Sequence, residues 1–159
     1  MNLKLLVAIT GFLALIVAGI YVMQRSNEKT TDVLPAVEET AAALPNVIEV
    51  ADTQAKRTQG LSGRDIVADD YGMLFVFSKD DRYGLWMKDT LVPLDMFWLD
   101  DKGRVVHLVT DVQPSSYPNV FYPPVPVRYV LETAAGFAHR HSITIGATLK
   151  LQKFPTVLE

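Results

Sequence analysis

Residues 94–112 read LDMFWLDDKGRVVHLVTDV, and this stretch decides the class of fold. Its first six residues form an apolar run of strand length, interrupted only by Asp95. Residues 100–103 are polar and end in Gly103, as the turn of a β-hairpin does, and residues 104–112 supply the returning strand. The stretch therefore predicts two antiparallel strands joined by a short turn.

Further short elements are predicted on both sides of this hairpin, because apolar runs alternate with Gly, Pro and Asp-rich turns. The predicted strands cover residues 47–51, 72–77, 84–87, 128–132 and, bent around Gly146, 143–152. Short helices are predicted at 54–59, which Asp52 or Thr53 can cap and Gly60 can end, and within 134–141. The remaining connections are a polar turn at 79–82 and a proline-rich loop at 114–126.

These elements predict a mainly β domain. No helix of the length that β-α-β repeats use separates the strands, which argues against a repeated β-α-β arrangement. We expect a compact, jelly-roll-like β sandwich or barrel with one or two short helices.

The hydrophobic residues are unevenly distributed along the chain. The chain has 159 residues and is 49% hydrophobic, and 18 of the first 23 residues are hydrophobic. Leu5 to Met23 carries no charge, and at about 1.5 Å per residue it is roughly as long as a bilayer core is thick. This predicts a membrane anchor within residues 1–25. The alternative is a cleaved signal peptide, for which Val17–Gly19 offers a weak site.

The anchor divides the rest of the chain into three expected parts. Residues 26–45 are rich in Thr, Glu and Ala and are predicted to form a flexible linker. Residues 46–152 form the β domain, and residues 153–159 form a tail. The flanking charges do not decide the orientation, but a short leading tail favours a domain on the extracytoplasmic side of the membrane.

Composition also limits the chemistry. The chain has no cysteine, which excludes disulfides, thiolate catalysis and cysteine-based metal sites. The net charge is −3 with both signs scattered, which argues against a nucleic-acid-binding role. His139 and His141 diverge on a helix because they are two positions apart, so no metal site is predicted. No cofactor is predicted either.

Four ordered motifs are similar to those of a known family. They are R-x-x-G-L-x-x-R at 57–64, GMLFVF at 72–77, WMKDTLVPLD at 86–95 and YVLETAAGF at 129–137. Over residues 46–151 the chain resembles the DUF192 family, also called uncharacterised ACR. The resemblance implies a small β-rich sandwich or barrel, often exported or membrane-anchored in prokaryotes, and no established activity. The chain departs from the pattern at Asp89, where Asn is common, and at 112–117, which lacks the cysteines of some members.

Two acids occupy positions where burial is costly without a partner. Asp95 and Glu132 each lie inside an apolar strand, and four cations are available to pair with them. The cations are Arg57, Arg64, Lys88 and Arg128. One interpretation is a buried ion-pair network that holds loops onto the sheet, and the other is a polar ligand pocket.

The two tryptophans differ in their surroundings. Trp86 shares a strand face with Lys88, so it either packs in the core or forms a stacking platform for a ligand. Trp98 lies in the apolar run at 96–99, so we expect it in the core. The candidate ligand-binding residues are Arg64, Trp86, Lys88, Asp95, Arg128 and Glu132. No catalytic residue is assigned.

Three functions are compatible with these features. The first is a membrane-tethered envelope domain that binds a small polar ligand, with carbohydrate among the candidates, or a protein partner, without catalysis. The second is a hydrolase of envelope carbohydrate that uses Asp95 and Glu132 as an acid–base pair, which requires carboxyl groups about 5–9.5 Å apart. The third is a structural or accessory envelope protein that uses the loop at 114–126, whose aromatic residues are Tyr117, Phe121 and Tyr122.

Overall fold

Nine strands and two short α-helices make up the part of the chain that the computed structural model describes, residues 41–150 and Pro155. In chain order they are β1 (Ala41–Ala42), β2 (Val47–Ala51), α1 (Gln54–Gln59), β3 (Tyr71–Asp81), β4 (Leu85–Trp86), β5 (Leu94–Leu99), β6 (Val105–Val112), β7 (Val120–Phe121), β8 (Val127–Ala134), α2 (Phe137–Arg140) and β9 (Thr148–Leu149). A 3-10 turn, Pro114–Ser116, precedes β7.

The central sheet has five strands in the order β2-β3-β8-β5-β6. Strand β1 pairs with β9 and strand β4 with β7 in two small ribbons. The predicted mainly β fold with two short helices is confirmed. The predicted barrel is not: within the described residues the edge strands β2 and β6 do not pair, so the sheet stays open.

Strands β2 and β3 are parallel, which the sequence analysis did not expect. Helix α1 crosses over between them; Thr53 Oγ1 caps it by accepting from Lys56 N, and Gly60 ends it with φ of +51°. A parallel pair needs a connection of a dozen or more residues but not a long helix. The six-residue helix and the turn after it were enough to close this one crossover.

The hairpin of β5 and β6 forms as predicted. Asp100 Oδ1 accepts from Lys102 N and Arg104 N, each at 2.9 Å, and so fixes the turn. The predicted turn at 79–82 is wrong, because β3 continues to Asp81, which pairs with Val127. The predicted strand at 143–152 is reduced to β9 within the described residues.

The central sheet is buried on both faces, and each face carries its own apolar core. The first core includes Met73, Phe75, Met96, Trp98 and Val130. The second includes Leu74, Val76, Phe97, Leu99 and Leu131. Because side chains alternate along a strand, this pattern also assigns each buried acid to a face. In the register of β5 and β8, Met96 pairs with Glu132 and Asp95 pairs with Thr133.

The folded unit begins before the predicted boundary at residue 46. Strand β1 lies within the predicted linker, and Pro45 is buried. The predicted anchor at 1–25, residues 26–40 of the linker and the tail at 153–159, apart from Pro155, lie outside the described residues. Within the residues that the structure does describe, no helix is long and apolar enough to cross a membrane.

Gly72 marks a position where the packing leaves no room for a side chain. A methyl group there would lie 2.8 Å from Pro45 Cγ and 3.0 Å from Leu131 Cδ1. We expect Gly72→Ala to lower the free energy of unfolding by about 1–3 kcal/mol, the usual cost of overpacking a core. Urea denaturation measures this, and Ser78→Ala, on the exposed end of the same strand, should change stability by less than about 0.5 kcal/mol. Equal effects of the two substitutions would contradict the packing argument.

Candidate ligand-binding site

An open groove of about 550 Å³ lies between helix α1, with the turn that follows it, and the turn after β4. Its lining residues are Ala55, Thr58, Gln59, Ser62, Gly63, Trp86, Lys88 and Asp89. We call it the Trp86 groove. A smaller cavity of about 80 Å³ shares part of this lining and adds Arg57, Gly60, Leu61, Phe75, Gly84, Leu85, Thr90 and Glu132. We call it the Glu132 cavity.

Two hydrogen bonds tie the two sides of the groove together. Ser62 Oγ donates to the carbonyl oxygen of Lys88 at 2.9 Å, and Gly63 N donates to that of Asp89 at 2.8 Å. Asp89 has φ of +55°, a left-handed conformation that Asn and Asp tolerate better than other side chains do. The backbone conformation therefore favours a residue such as Asp89 at this position.

Trp86 lies at the surface of the groove and not in the core. It is 49% exposed, and its ring meets the ring of Tyr117 edge to face at 5.8 Å. Trp98 is completely buried, as predicted, and its Nε1 donates to the carbonyl oxygen of Tyr83 at 2.8 Å. The exposed indole is therefore the only tryptophan of the two that a ligand in the groove can reach.

Glu132 lies at the base of the cavity and is only 4% exposed. Its carboxyl group makes no hydrogen bond or ion pair within the described part of the chain. Burial raises the pKa of this carboxyl to about 8. At pH 7 the group is mostly protonated, so it can donate one hydrogen bond and accept others.

Asp95 has a different role. It is completely buried, and its two carboxyl oxygens accept from the backbone N–H groups of Asp111 at 2.8 Å and Ala138 at 2.9 Å. Asp111 is the last residue but one of β6 and has φ of +51°. Asp95 therefore joins the end of β6 to the start of α2, which is a structural task.

The interpretation of a buried ion-pair network is wrong, because among the residues that the structure describes none of the four predicted cations pairs with either acid. Arg64 pairs with Glu49 at 2.7 Å, and Arg128 pairs with Asp80 at 3.0 Å. Arg57 Nη1 donates instead to the carbonyl oxygens of Asp52 and Val76, each at 2.8 Å. These cations hold loops and strand ends in place without reaching the buried carboxyl groups.

The paired-carboxylate hydrolase is also excluded. Asp95 and Glu132 point to opposite faces of the sheet, because Asp95 is opposite Thr133 and Glu132 is opposite Met96 in the same strand pair. Two acids separated by the sheet cannot act on one glycosidic bond. Of the six predicted residues, the structure brings Trp86, Lys88 and Glu132 together and places Arg64, Asp95 and Arg128 elsewhere.

Four polar residues of the groove are not among the predicted site residues: Asp89, which follows Lys88, and Thr58, Gln59 and Ser62. Thr58, Gln59 and Ser62 lie inside the motif at 57–64, between its Arg, Gly and Leu residues, and that position could have identified them. The loop at 114–126 presents Tyr117 and Tyr122 to solvent, whereas Phe121 packs against the first core. Across the described residues, no group of three or more His, Asp or Glu side chains could hold a metal ion.

Comparison with known proteins places the chain in a wider group. The family model for DUF192, described as uncharacterized ACR, matches residues 36–151. Among solved structures, a proposed transcription regulator from Sinorhizobium meliloti 1021 is 34% identical with a TM-score of 0.60, and the match covers 62% of this chain and 76% of that one. A protein of unknown function from Novosphingobium aromaticivorans DSM 12444 is 29% identical with a TM-score of 0.62, over 65% of this chain and 74% of that one. No curated protein matches this chain.

Proposed function

Because the chain belongs to the DUF192 family of uncharacterised ACR proteins, we propose its function from its own site: it binds a small polar ligand in the Trp86 groove without catalysing a reaction. The observation that carries this proposal is Glu132. A buried acid without a hydrogen-bond partner costs stability, which is a usual mark of a functional position. A ligand group that enters the cavity would satisfy this acid.

The groove has the size and composition that such a role requires. Its volume of about 550 Å³ falls within the range of small-molecule sites, about 300–1,000 Å³. Trp86 supplies an apolar ring, Gln59 and Lys88 supply hydrogen-bond donors around it, and Ser62 Oγ, whose proton is donated to the carbonyl oxygen of Lys88, can accept. Because the site has charged groups of both signs, with Lys88 and Asp89 in the groove and Arg57 in the cavity, it suits a small polar ligand better than a nucleic acid. The description of the Sinorhizobium meliloti protein is therefore not extended to this chain, whose net charge is −3.

We place this binding domain in the cell envelope. The uncharged stretch from Leu5 to Met23 would anchor the chain in the membrane, and residues 26–40 would act as the tether. The domain would then face the extracytoplasmic side, where envelope carbohydrate is one available class of ligand. Protease protection of the full chain in sealed cells would test the orientation, since an external protease should degrade the domain only when it lies outside.

The binding proposal has a direct spectroscopic test. The chain contains only two tryptophans, so the full chain, labelled with ¹⁵N and purified in detergent, gives two indole N–H signals. The probe is a mixture of small sugars released from cell-envelope polysaccharide by enzymatic digestion, which leaves N-acetyl groups in place. We expect the Trp86 signal to shift and saturate, while the Trp98 signal stays in place because that indole is buried. No shift, or equal shifts of both signals, would contradict the proposal.

Substitution of Trp86 tests the same site. We expect Trp86→Ala to weaken binding about three- to tenfold, because an aromatic contact contributes about 0.5–1.5 kcal/mol. The backbone N–H signals of the groove residues report the affinity of this variant. Leu91→Ala is the matched control, because Leu91 is 55% exposed and does not line the groove. If both substitutions weaken binding equally, the groove is not the site.

A further inference from the structure

The shape of the Glu132 cavity limits what can enter it. About 80 Å³ is several times the space that one water molecule needs, about 10–15 Å³, and much less than the volume of the adjoining groove. A whole sugar ring therefore has to remain in the groove. Only a short side group can reach Glu132.

The walls of the cavity are mixed, and three buried apolar side chains form part of them. Leu61, Phe75 and Leu85 line it and are each at most 9% exposed. A methyl group added at Gly60 would lie 3.4 Å from Phe75 Cζ and 4.0 Å from Glu132 Oε2, so the acid and the apolar wall are adjacent. A side group that fits both surfaces needs an apolar end beside a polar centre.

Glu132 requires a particular kind of polar centre. Its protonated carboxyl group offers one donor and one acceptor side by side. An amide matches this arrangement, because its C=O accepts from the acid and its N–H donates to it. A carboxylate matches only half of it, because it can accept from the acid but has no N–H to donate to the carbonyl oxygen of Glu132.

We propose that the site binds an N-acetylated amino sugar, with the sugar ring against Trp86 in the groove and the acetamido group in the cavity, where its methyl group contacts Leu61, Phe75 and Leu85 and its amide pairs with Glu132. This inference rests on the proposed function and names its ligand class. The exposed indole supports a sugar, because an aromatic face packs against the apolar face of a pyranose ring. Gln59, Ser62 and Lys88 lie where the ring hydroxyls would be.

Binding should depend on the protonation of Glu132. Burial raises the pKa of this carboxyl to about 8, so the neutral form falls from most of the molecules at pH 7 to about a tenth of them at pH 9. The charged residues that line the cavity are Arg57 from α1 and Lys88 from the turn after β4, and Asp89 lines the groove. Strands β3 and β5 present Met73, Phe75 and Met96 on this face, none of which titrates.

The test compares three probes on the full chain in detergent, using the Trp86 indole signal and the backbone N–H signals of Gly60 and Leu61. The probes are N-acetylglucosamine, glucose, and Nε-acetyl-lysine, which carries the acetamido group without a sugar ring. We expect N-acetylglucosamine to bind at least about tenfold more tightly than either of the others at pH 7. Its affinity should fall about tenfold between pH 7 and pH 9.

Two variants of Glu132 test whether this residue causes the pH dependence of binding. Glu132→Gln should remove the pH dependence, because its amide donates and accepts at both pH values. Glu132→Leu should abolish selection for the acetyl group, and it should fold, because replacing an unpartnered buried polar group with an apolar one is not destabilising as a rule. A pH dependence that persists in Glu132→Gln would overturn the role of this residue.

The outcomes separate this inference from the proposed function. Equal binding of glucose and N-acetylglucosamine overturns the acetamido assignment, while ligand binding in the groove stands. Equal binding of Nε-acetyl-lysine overturns the assignment to a sugar. If N-acetylglucosamine does not bind but the polysaccharide digest shifts Trp86, only the ligand class is wrong. If neither shifts Trp86, both proposals fail.

Discussion

Replacing Glu132 by glutamine is expected to make stability depend less on pH. The free energy of unfolding of Glu132→Gln minus that of wild type should be about 4 kcal/mol larger at pH 9 than at pH 5. The carboxyl pKa rises from 4.5 to about 8 on folding, because the group is buried. Between these values the folded state holds one proton more than the unfolded state. Wild-type stability is therefore fully present below pH 4.5 and falls as the pH rises towards 8. Glutamine does not ionise, so the variant lacks this loss.

Urea denaturation of the full chain at pH 5 and pH 9 measures the effect. Other groups that titrate in this range affect wild type and variant alike. The difference between their free energies of unfolding therefore reports the contribution of Glu132 alone. The matched control is Asp65→Asn, which removes an exposed carboxylate on the turn after α1. The free energy of unfolding of Asp65→Asn should stay within about 0.5 kcal/mol of the wild-type value at both pH values. A pH-independent difference for Glu132→Gln would mean that the acid is ionised in the fold.

Replacing Asp95 by asparagine is expected to lower the free energy of unfolding by on the order of 3 kcal/mol at pH 7. Each carboxyl oxygen of Asp95 accepts a backbone hydrogen bond, one from Asp111 N and one from Ala138 N, in a position with no exposure. Asparagine keeps one acceptor and turns an NH₂ group towards the other N–H, which is then left without a partner. Hydrogen bonds to charged groups contribute about 1.5–3 kcal/mol each, so the loss is large.

Asp80→Asn is the control for this substitution. Asp80 pairs with Arg128 at the surface, and its side chain is 56% exposed. Because exposed ion pairs contribute about 0–1 kcal/mol, this control should change little. Losses of equal size in the two variants would contradict the structural role of Asp95. Hydrogen exchange should also be faster in α2 of Asp95→Asn, since its first turn loses the carboxylate acceptor.

Most of the fold could be predicted from the sequence, because it depends on local patterns. The hairpin at 94–112 and the strand at 47–51 follow from apolar runs and turn residues, and both are present. The parallel pairing of β2 and β3 could not be predicted, because it depends on which strands meet in space. The end of β3 was missed for a similar reason: the polar residues after Phe77 look like a turn, but they pair with the start of β8.

Only part of the candidate site could be predicted from the sequence. Burial of Asp95 and Glu132 followed from their apolar neighbours in the sequence, and both acids are buried. Their partners did not follow, because strand register alone decides which face each acid takes. Asp95 faces backbone N–H groups of α2 and β6, whereas Glu132 faces the cavity. Tertiary packing thus gives two similar acids a structural role and a candidate binding role.

Both the proposed ligand class and the pH dependence of stability depend on the protonation state of Glu132, so its titration is the decisive measurement. The measurement is a ¹³C NMR titration of the full chain labelled at the glutamate side-chain carboxyl, with Glu132→Gln used to assign the signal. We expect the Glu132 signal to titrate with a midpoint of about 8. A midpoint near 4.5, the ordinary value, would contradict this expectation.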